Sequence, residues 1–267
     1  MCYYNGIRVS LTDYIRLKGI EKQLKQYNLN RAMQSGFAYA NYPVIVPTKQ
    51  GSDWEIDEME WGFLPGYLKN REAVKKFREG YKDDAGKYHP AMTTLNAMSE
   101  EMLLPGKMYR EAALSRRCLV LSTGFYEWRH VFPMGKKGQP LKTAIKYPYH
   151  IYLKGQEIFY MAGIWQSWND KLTGELVHTF ALTTTSAPEG HIMNQIHNSK
   201  KRMPTILNDN LAEEWLSEGL TESRITEIAG YQFPSEKMQA HTIAKDFREA
   251  LNPQDKFDYE DLPALIL

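Results

Sequence analysis

Arg116-Arg117-Cys118-Leu119-Val120-Leu121-Ser122-Thr123-Gly124-Phe125-Tyr126-Glu127-Trp128 is the stretch on which the reading of the fold turns. The apolar run 118–122 is short, carries a β-branched residue and ends in Ser-Thr-Gly, which predicts a buried strand. Beyond the glycine, Glu127 stands between two aromatic residues. Apolar walls of that kind raise a carboxyl pKa and suit it to proton transfer, although a glutamate on a strand flank is also an ordinary surface residue. Further strands are predicted at 149–153, 158–165 and 177–184, where β-branched and aromatic residues cluster between turn residues. The Pro-flanked segment 42–47 is expected to be extended, because each proline disfavours helix at the residue before it.

Helices are predicted at 71–79, 97–103 and 108–116, and at 10–27, where Leu11, Tyr14, Ile15, Leu17, Ile20 and Leu24 fall at helical spacing behind Ser10 as a cap. A short helix is expected from Ser186 to His197. After a strand at 204–207, Asn208 or Asp209 caps another helix running to Trp215. Strands and helices mixed without regular βαβ alternation argue for an α+β fold. With no internal repeat, low-complexity segment or linker, a single domain is expected over residues 1–235, with 236–267 as a C-terminal extension packed on or following it.

Across 267 residues, 43% hydrophobic and 24% charged, the composition is globular and excludes a disordered or collagen-like chain. No apolar run approaches the roughly 18–20 residues of a membrane span, and MCYYNGIRVS lacks the layout of a signal peptide, so a cytoplasmic location and no membrane partner are expected. Two cysteines, Cys2 and Cys118, make no disulfide framework, and no CxxC or HxxxH pair has metal-ligand spacing; neither metal nor cofactor is expected. The net charge of +1 hides asymmetry. No acidic residue lies between Glu127 and Glu157, an interval containing Arg129, Lys136, Lys137, Lys142, Lys146 and Lys154, and a second basic cluster is Lys200-Lys201-Arg202. Such runs suit a phosphate-binding face, and equally a solvated lysine loop.

Four groups carry candidate chemistry. Cys2 would become N-terminal once Met1 is removed, placing an α-amine of pKa about 8 beside a thiol, a pair that condenses with an aldehyde to a five-membered thiazolidine. Glu127 is the second. The third is His197, next to the cations Lys200, Lys201 and Arg202, where a proton-exchanging imidazole and phosphate-holding groups share one loop. The fourth is Asn96, whose plainest reading is a helix N-cap. Trp61, in Trp61-Gly62-Phe63-Leu64-Pro65, either stacks on a base or fills the core.

Taken in order, Met1-Cys2, Trp61-Gly62-Phe63-Leu64-Pro65, Leu95-Asn96-Ala97 with Glu100, Arg117-Cys118 leading to Gly124-Phe125-Tyr126-Glu127-Trp128, and Ile196-His197 before Arg202-Met203-Pro204 resemble the SOS-response-associated peptidase (SRAP) family of abasic-site sensors, over roughly residues 2–210. The resemblance implies a compact α+β fold with a β-barrel-like mixed or antiparallel core flanked by helices, and a basic groove for single-stranded or junction DNA. It implies that Cys2 captures the ring-opened abasic aldehyde, that Asn96 orients the N-terminal residue and the opened sugar, that Glu127 handles protons, and that His197 assists ring opening and crosslink release. DNA contacts are expected from Trp61, Pro43, Lys200, Lys201, Arg202 and Arg129, and the protein is expected to be a monomer. The sequence departs from the family at Met98, where an arginine is usual, and at Tyr3-Tyr4-Asn5, where another arginine is usual. Asn198-Ser199-Lys200-Lys201 lengthens the step from His197 to Arg202 and supplies cations of its own. Two further readings are a cysteine-type (auto)peptidase using Cys2, His197 and Glu127, and a noncatalytic single-strand-binding module. A peptidase needs the thiol but no free amine, and a binding module needs neither.

Overall fold

The stretch around Gly124 is divided between two sheets in the computed structural model, which describes residues 2–49 and 53–265. Along the chain the strands are β1 (Tyr4–Arg8), β2 (Tyr14–Leu17), β3 (Ile20–Gln23), β4 (Asn30–Ser35), β5 (Asn41–Pro47), β6 (Trp54–Trp61), β7 (Tyr81–Lys82), β8 (Tyr88–His89) and β9 (Asn96–Met98). They continue with β10 (Arg117–Ser122), β11 (Gly124–Val131), β12 (Ile145–Leu153), β13 (Phe159–Asn169), β14 (Leu176–Ser186), β15 (Arg202–Pro204), β16 (Ile206–Leu207) and β17 (Met238–Thr242). The α-helices are short: α1 (Arg71–Glu79), α2 (Arg110–Ser115), α3 (Ile192–Ile196), α4 (Asp209–Trp215) and α5 (Glu222–Ala229).

Strand β10 belongs to a closed barrel. β5 pairs with β6, β6 with β14, β14 with β13, β13 with β10, and β10 with β5 again; only the β6–β14 pairing is parallel. Closure leaves these strands without a free edge. Its core is aromatic and aliphatic: Tyr42, Trp61, Phe63, Phe159 and Phe180 are fully or almost fully buried, each worth about 2 kcal/mol relative to exposure. Strand β11 instead joins an antiparallel five-stranded sheet in the order β17-β12-β11-β1-β4. The glycines explain the crossing: a Cβ at Gly124 would lie 2.1 Å from His150 Nε2, and one at its cross-strand partner Gly6 would lie 2.4 Å from the Ala32 carbonyl oxygen. A buried network then ties the sheet to the barrel. Asn5 Nδ2 donates to Tyr42 Oη at 2.9 Å and to the Leu121 carbonyl at 3.1 Å, and Ser122 Oγ donates to Asn5 Oδ1 at 2.7 Å.

The α+β class and the barrel-centred core agree with the sequence, as do the strands around 118–122, 149–153, 158–165 and 177–184 and helix α1. Asn208 caps α4 by accepting from Leu211 N–H. Three elements differ. Residues 10–27 form the β2–β3 hairpin rather than a helix, because Lys18 (φ 53°) and Gly19 (φ 72°) make a tight left-handed turn that pairs Leu17 with Ile20. The expected helix at 97–103 is replaced by β9, which runs parallel to β14, followed by turns. The helix sought from Ser186 begins only at Ile192, capped by His191, because β14 extends through Ser186. Beyond residue 235, Met238–Thr242 forms the outer strand of the five-stranded sheet, and Ile243 and Phe247 pack on Tyr126.

Candidate functional site

The N-terminus, β9, β11 and the loop after α3 converge where barrel and sheet meet. Strand β1 is held in register with β11 by Tyr4 opposite Tyr126 and Asn5 opposite Phe125, which brings Cys2, two residues before the strand, to the stretch of β11 that carries Glu127. Cys2 is buried, its Sγ donating to the Tyr4 carbonyl at 3.6 Å. Asn96 Nδ2 donates to the Cys2 carbonyl at 3.0 Å. Asn96 is therefore no helix cap: it opens β9, and its amide fixes the backbone of the N-terminal segment. Its Oδ1 is buried with no hydrogen-bond partner among the described residues, an acceptor suited to a ligand hydroxyl or ammonium. Met1 lies outside the described residues.

A cleft of about 310 Å³ runs beside this segment, lined by Tyr3, Glu127, Trp128, His130, Lys146, His197, Ser199 and Lys200. Burial raises the Glu127 carboxyl to about 7, which makes it a proton donor and acceptor at neutral pH. Burial, and then the neighbouring Glu127, push the Cys2 thiol well above its ordinary range. His197 is lowered to about 4, first by burial, and is a neutral imidazole at physiological pH. Its Nδ1 lies 2.9 Å from the Arg202 carbonyl, which favours a proton on Nδ1 and leaves Nε2 as the basic nitrogen. Asn198 holds the loop in place, accepting from His130 N–H at 2.9 Å and donating to the His130 carbonyl at 2.7 Å along the edge of β11.

Cys2, Asn96, Glu127 and His197 thus come together, whereas the expected DNA contacts separate. Lys200 lines the cleft and Lys201 is exposed. Trp61 is 1% exposed, with its indole N–H donating to the Leu95 carbonyl at 3.0 Å, and stacks on Phe180 inside the core; it offers no face to a base. Pro43 is buried within β5 between β6 and β10. Arg202 makes a two-pronged ion pair with Glu100 at 2.9–3.0 Å and donates to the Thr184 carbonyl at 2.6 Å, so it ties β15 to the turn after β9. Arg129 Nη1 donates to the Pro263 carbonyl at 2.5 Å, which commits it to the C-terminal segment. The sequence assigned no functional role to Tyr3, His130 or Ser199; it offered Trp128 only as an aromatic wall beside Glu127, and Lys146 only within the acid-free interval. The alternation of side chains along β11 marks Trp128 and His130 as one face, but nothing local reports that α3 is folded against it.

Three further histidines, at 178, 191 and 241, are held structurally. His178 Nδ1 meets Asp57 at 3.1 Å, His191 Nε2 the Phe233 carbonyl at 2.9 Å, and His241 Nε2 the Gln254 carbonyl at 2.7 Å. Among the described residues no group of three or more His, Cys, Asp or Glu could hold a metal ion, and no helix is long and apolar enough to cross a membrane.

A closed barrel joined to an antiparallel sheet, with Cys2, a buried carboxyl and a neutral histidine at the junction, defines the class. The chain belongs to the SOS response associated peptidase (SRAP) family, whose model matches residues 10–250. It is similar to the Abasic site processing protein YoqW of Bacillus subtilis, 26% identical over 227 residues that cover 83% of this chain and 86% of that protein. It is also similar to the Abasic site processing protein HMCES of Xenopus tropicalis, 25% identical over 218 residues, 73% of this chain and 55% of that protein. Among solved structures, a protein from Bacteroides thetaiotaomicron superposes with a TM-score of 0.71 at 28% identity, covering 95% of this chain and 97% of that one.

Proposed function

We propose that this protein recognises abasic sites in single-stranded DNA and captures them covalently through Cys2. The relatives named abasic site processing proteins support the lesion. The observation that carries the reading is the hydrogen bond from Asn96 to the Cys2 carbonyl, which fixes the N-terminal segment beside a carboxyl raised to about 7.

With Met1 removed, the Cys2 α-amine attacks the C1′ aldehyde of the ring-opened sugar to give a carbinolamine. Glu127, protonated about half the time near pH 7, takes a proton from the attacking nitrogen and returns one to the departing hydroxyl, so that one water leaves and an imine remains. The Cys2 thiol leaves the Tyr4 carbonyl and adds to the imine carbon, its proton passing to the nitrogen, and the thiazolidine closes. His197 Nε2 exchanges the proton of the sugar hydroxyl during ring opening and in the reverse reaction. Lys200, Lys201 and Lys146 attract the DNA backbone. A peptidase is supported less, because burial keeps the Cys2 thiol protonated, opposite to the depressed pKa of a cysteine nucleophile.

The test is a denaturing gel of Met1-free protein, confirmed by intact mass, incubated with a single-stranded oligonucleotide carrying one abasic site. A shifted band from wild type and none from Cys2→Ala is the expected result; no band from processed wild type overturns the reading.

A further inference from the structure

An aromatic pair reaches the cleft from its N-terminal side through one of its rings. Tyr3 lines it and packs against Phe37, the ring centroids 4.9 Å apart and the planes at 46°. Phe37 is 48% exposed, on the 3-10 turn Gly36–Ala38. That turn is firmly seated. Gly36 N–H donates to the Tyr3 carbonyl at 2.8 Å, and Gly36 is packed so closely that a Cβ there would meet Leu95 at 3.0 Å and the buried Trp61 ring at 3.2 Å. Phe37 is therefore displayed on a rigid base that also holds the residue next to Cys2. The same cleft carries two cations, Lys146 and Lys200.

One exposed ring needs no explanation. A supported ring pair beside two ammonium groups has the chemistry of a single-strand site, in which an aromatic face takes a base and cations track the phosphates. In a strand with an abasic site, the sugar to be captured has no base, and the adjacent base has lost its stacking neighbour. Tyr3 follows Cys2 directly in the chain and lines the cleft that holds Glu127. We infer that the Tyr3–Phe37 pair stacks on the base flanking the abasic sugar, occupying the place of the missing base, while Lys146 and Lys200 hold the neighbouring phosphates; this inference rests on the function proposed above. Recognition then reads an intact base next to a gap, and a run of consecutive abasic sites is a poorer ligand than a single one.

The experiment uses the full chain, Met1-free, as wild type, Phe37→Ser and Phe37→Tyr, with single-stranded oligonucleotides containing a non-reactive tetrahydrofuran abasic analogue. One oligonucleotide carries 2-aminopurine beside the analogue and another a three-carbon spacer without a base. Wild type is expected to quench the 2-aminopurine fluorescence on binding, and to bind the base-flanked oligonucleotide about tenfold more tightly than the spacer-flanked one. Phe37→Ser should lose both the quenching and the discrimination, and Phe37→Tyr should keep both. Equal wild-type affinity for the two oligonucleotides without quenching, or Phe37→Ser behaving as wild type, overturns the inference. So does a concentration-dependent dimer that Phe37→Ser disperses with DNA affinity unchanged, which assigns the ring pair to a second copy of the chain. A parallel denaturing gel with a reactive abasic site separates the two levels: crosslinking without discrimination for the flanking base overturns the ring-pair assignment alone, and absence of crosslinking overturns the underlying function with it.

Discussion

Arg117 and Glu127 stand near opposite ends of one stretch, each 5% exposed, and they are buried to opposite effect. The Arg117 guanidinium donates to four carbonyls: Nε to Trp215 at 2.8 Å, Nη1 to Ala113 at 3.0 Å and Leu114 at 2.7 Å, and Nη2 to Ser217 at 2.5 Å. These bonds join the C-terminal ends of α2 and α4 to the barrel. Burial lowers its pKa, yet an arginine stays charged throughout the physiological range. Glu127 is a carboxyl whose ionised form burial opposes, so that its proton is exchangeable near pH 7. A buried charge surrounded by matched dipoles serves the scaffold, whereas a buried acid raised to working pH can exchange a proton. The barrel end of the stretch supplies rigidity, and the sheet end holds the proton that the proposed capture would use.

Substitutions at the two ends should separate these roles. Glu127→Gln is expected to slow capture of an abasic oligonucleotide by about a hundredfold or more in single-turnover assays, with the fold intact by circular dichroism. Arg117→Leu should do the reverse, leaving buried carbonyls without a donor and costing about 3 kcal/mol in urea denaturation, while folded protein at low temperature captures at near the wild-type rate. Stability against pH sharpens the contrast. The folded-state pKa of Glu127, about 7, lies above its ordinary 4.5, so the folded protein holds this proton more tightly than the unfolded chain. Wild-type stability is therefore expected to fall as pH rises from 4.5 through 7 and to level off above. Glu127→Gln removes this contribution and is more stable than wild type at pH 8 by up to about 3 kcal/mol, with no such advantage at pH 4.5. The smallest effect is at the surface: Lys200→Ala should weaken DNA binding and reduce the slope of log affinity against log salt by about 1. Arg202→Ala, by contrast, removes the Glu100 ion pair and acts on stability.

The four residues proposed for the chemistry were legible in the sequence as an ordered set, and the surroundings of the residues expected to contact DNA were not, for a physical reason. Cys2, Asn96, Glu127 and His197 are residue types whose reactivity or hydrogen-bonding is particular to the side chain, and they stand in a recognisable order. A basic or aromatic side chain is less specific. Arg202 and Arg129 satisfy Glu100 and the Pro263 carbonyl, and Trp61 and Pro43 sit in the core; only long-range pairing decides such fates. The same limit applies to residues 10–27, where Leu11, Tyr14, Ile15 and Leu17 fit a helical stripe as well as a hairpin, and the signal that decides is the two-residue Lys18-Gly19 turn. Strands β10, β13 and β14 were visible because their β-branched and aromatic runs are buried on both sides. That β10 closes a barrel while β11 leaves it depends on the Gly6–Gly124 approach, a contact between segments more than a hundred residues apart.

The pH dependence of the single-turnover capture rate, for Met1-free wild type and Glu127→Gln on the same abasic oligonucleotide, tests the role of Glu127 most directly. Wild type should show a break near pH 7 that the variant lacks, with the variant slower throughout. His197, lowered to about 4, should contribute no break between pH 5 and 8. A Glu127→Gln profile that keeps both the wild-type rate and the break near pH 7 would contradict the assignment of this buried carboxyl as the proton-transfer group.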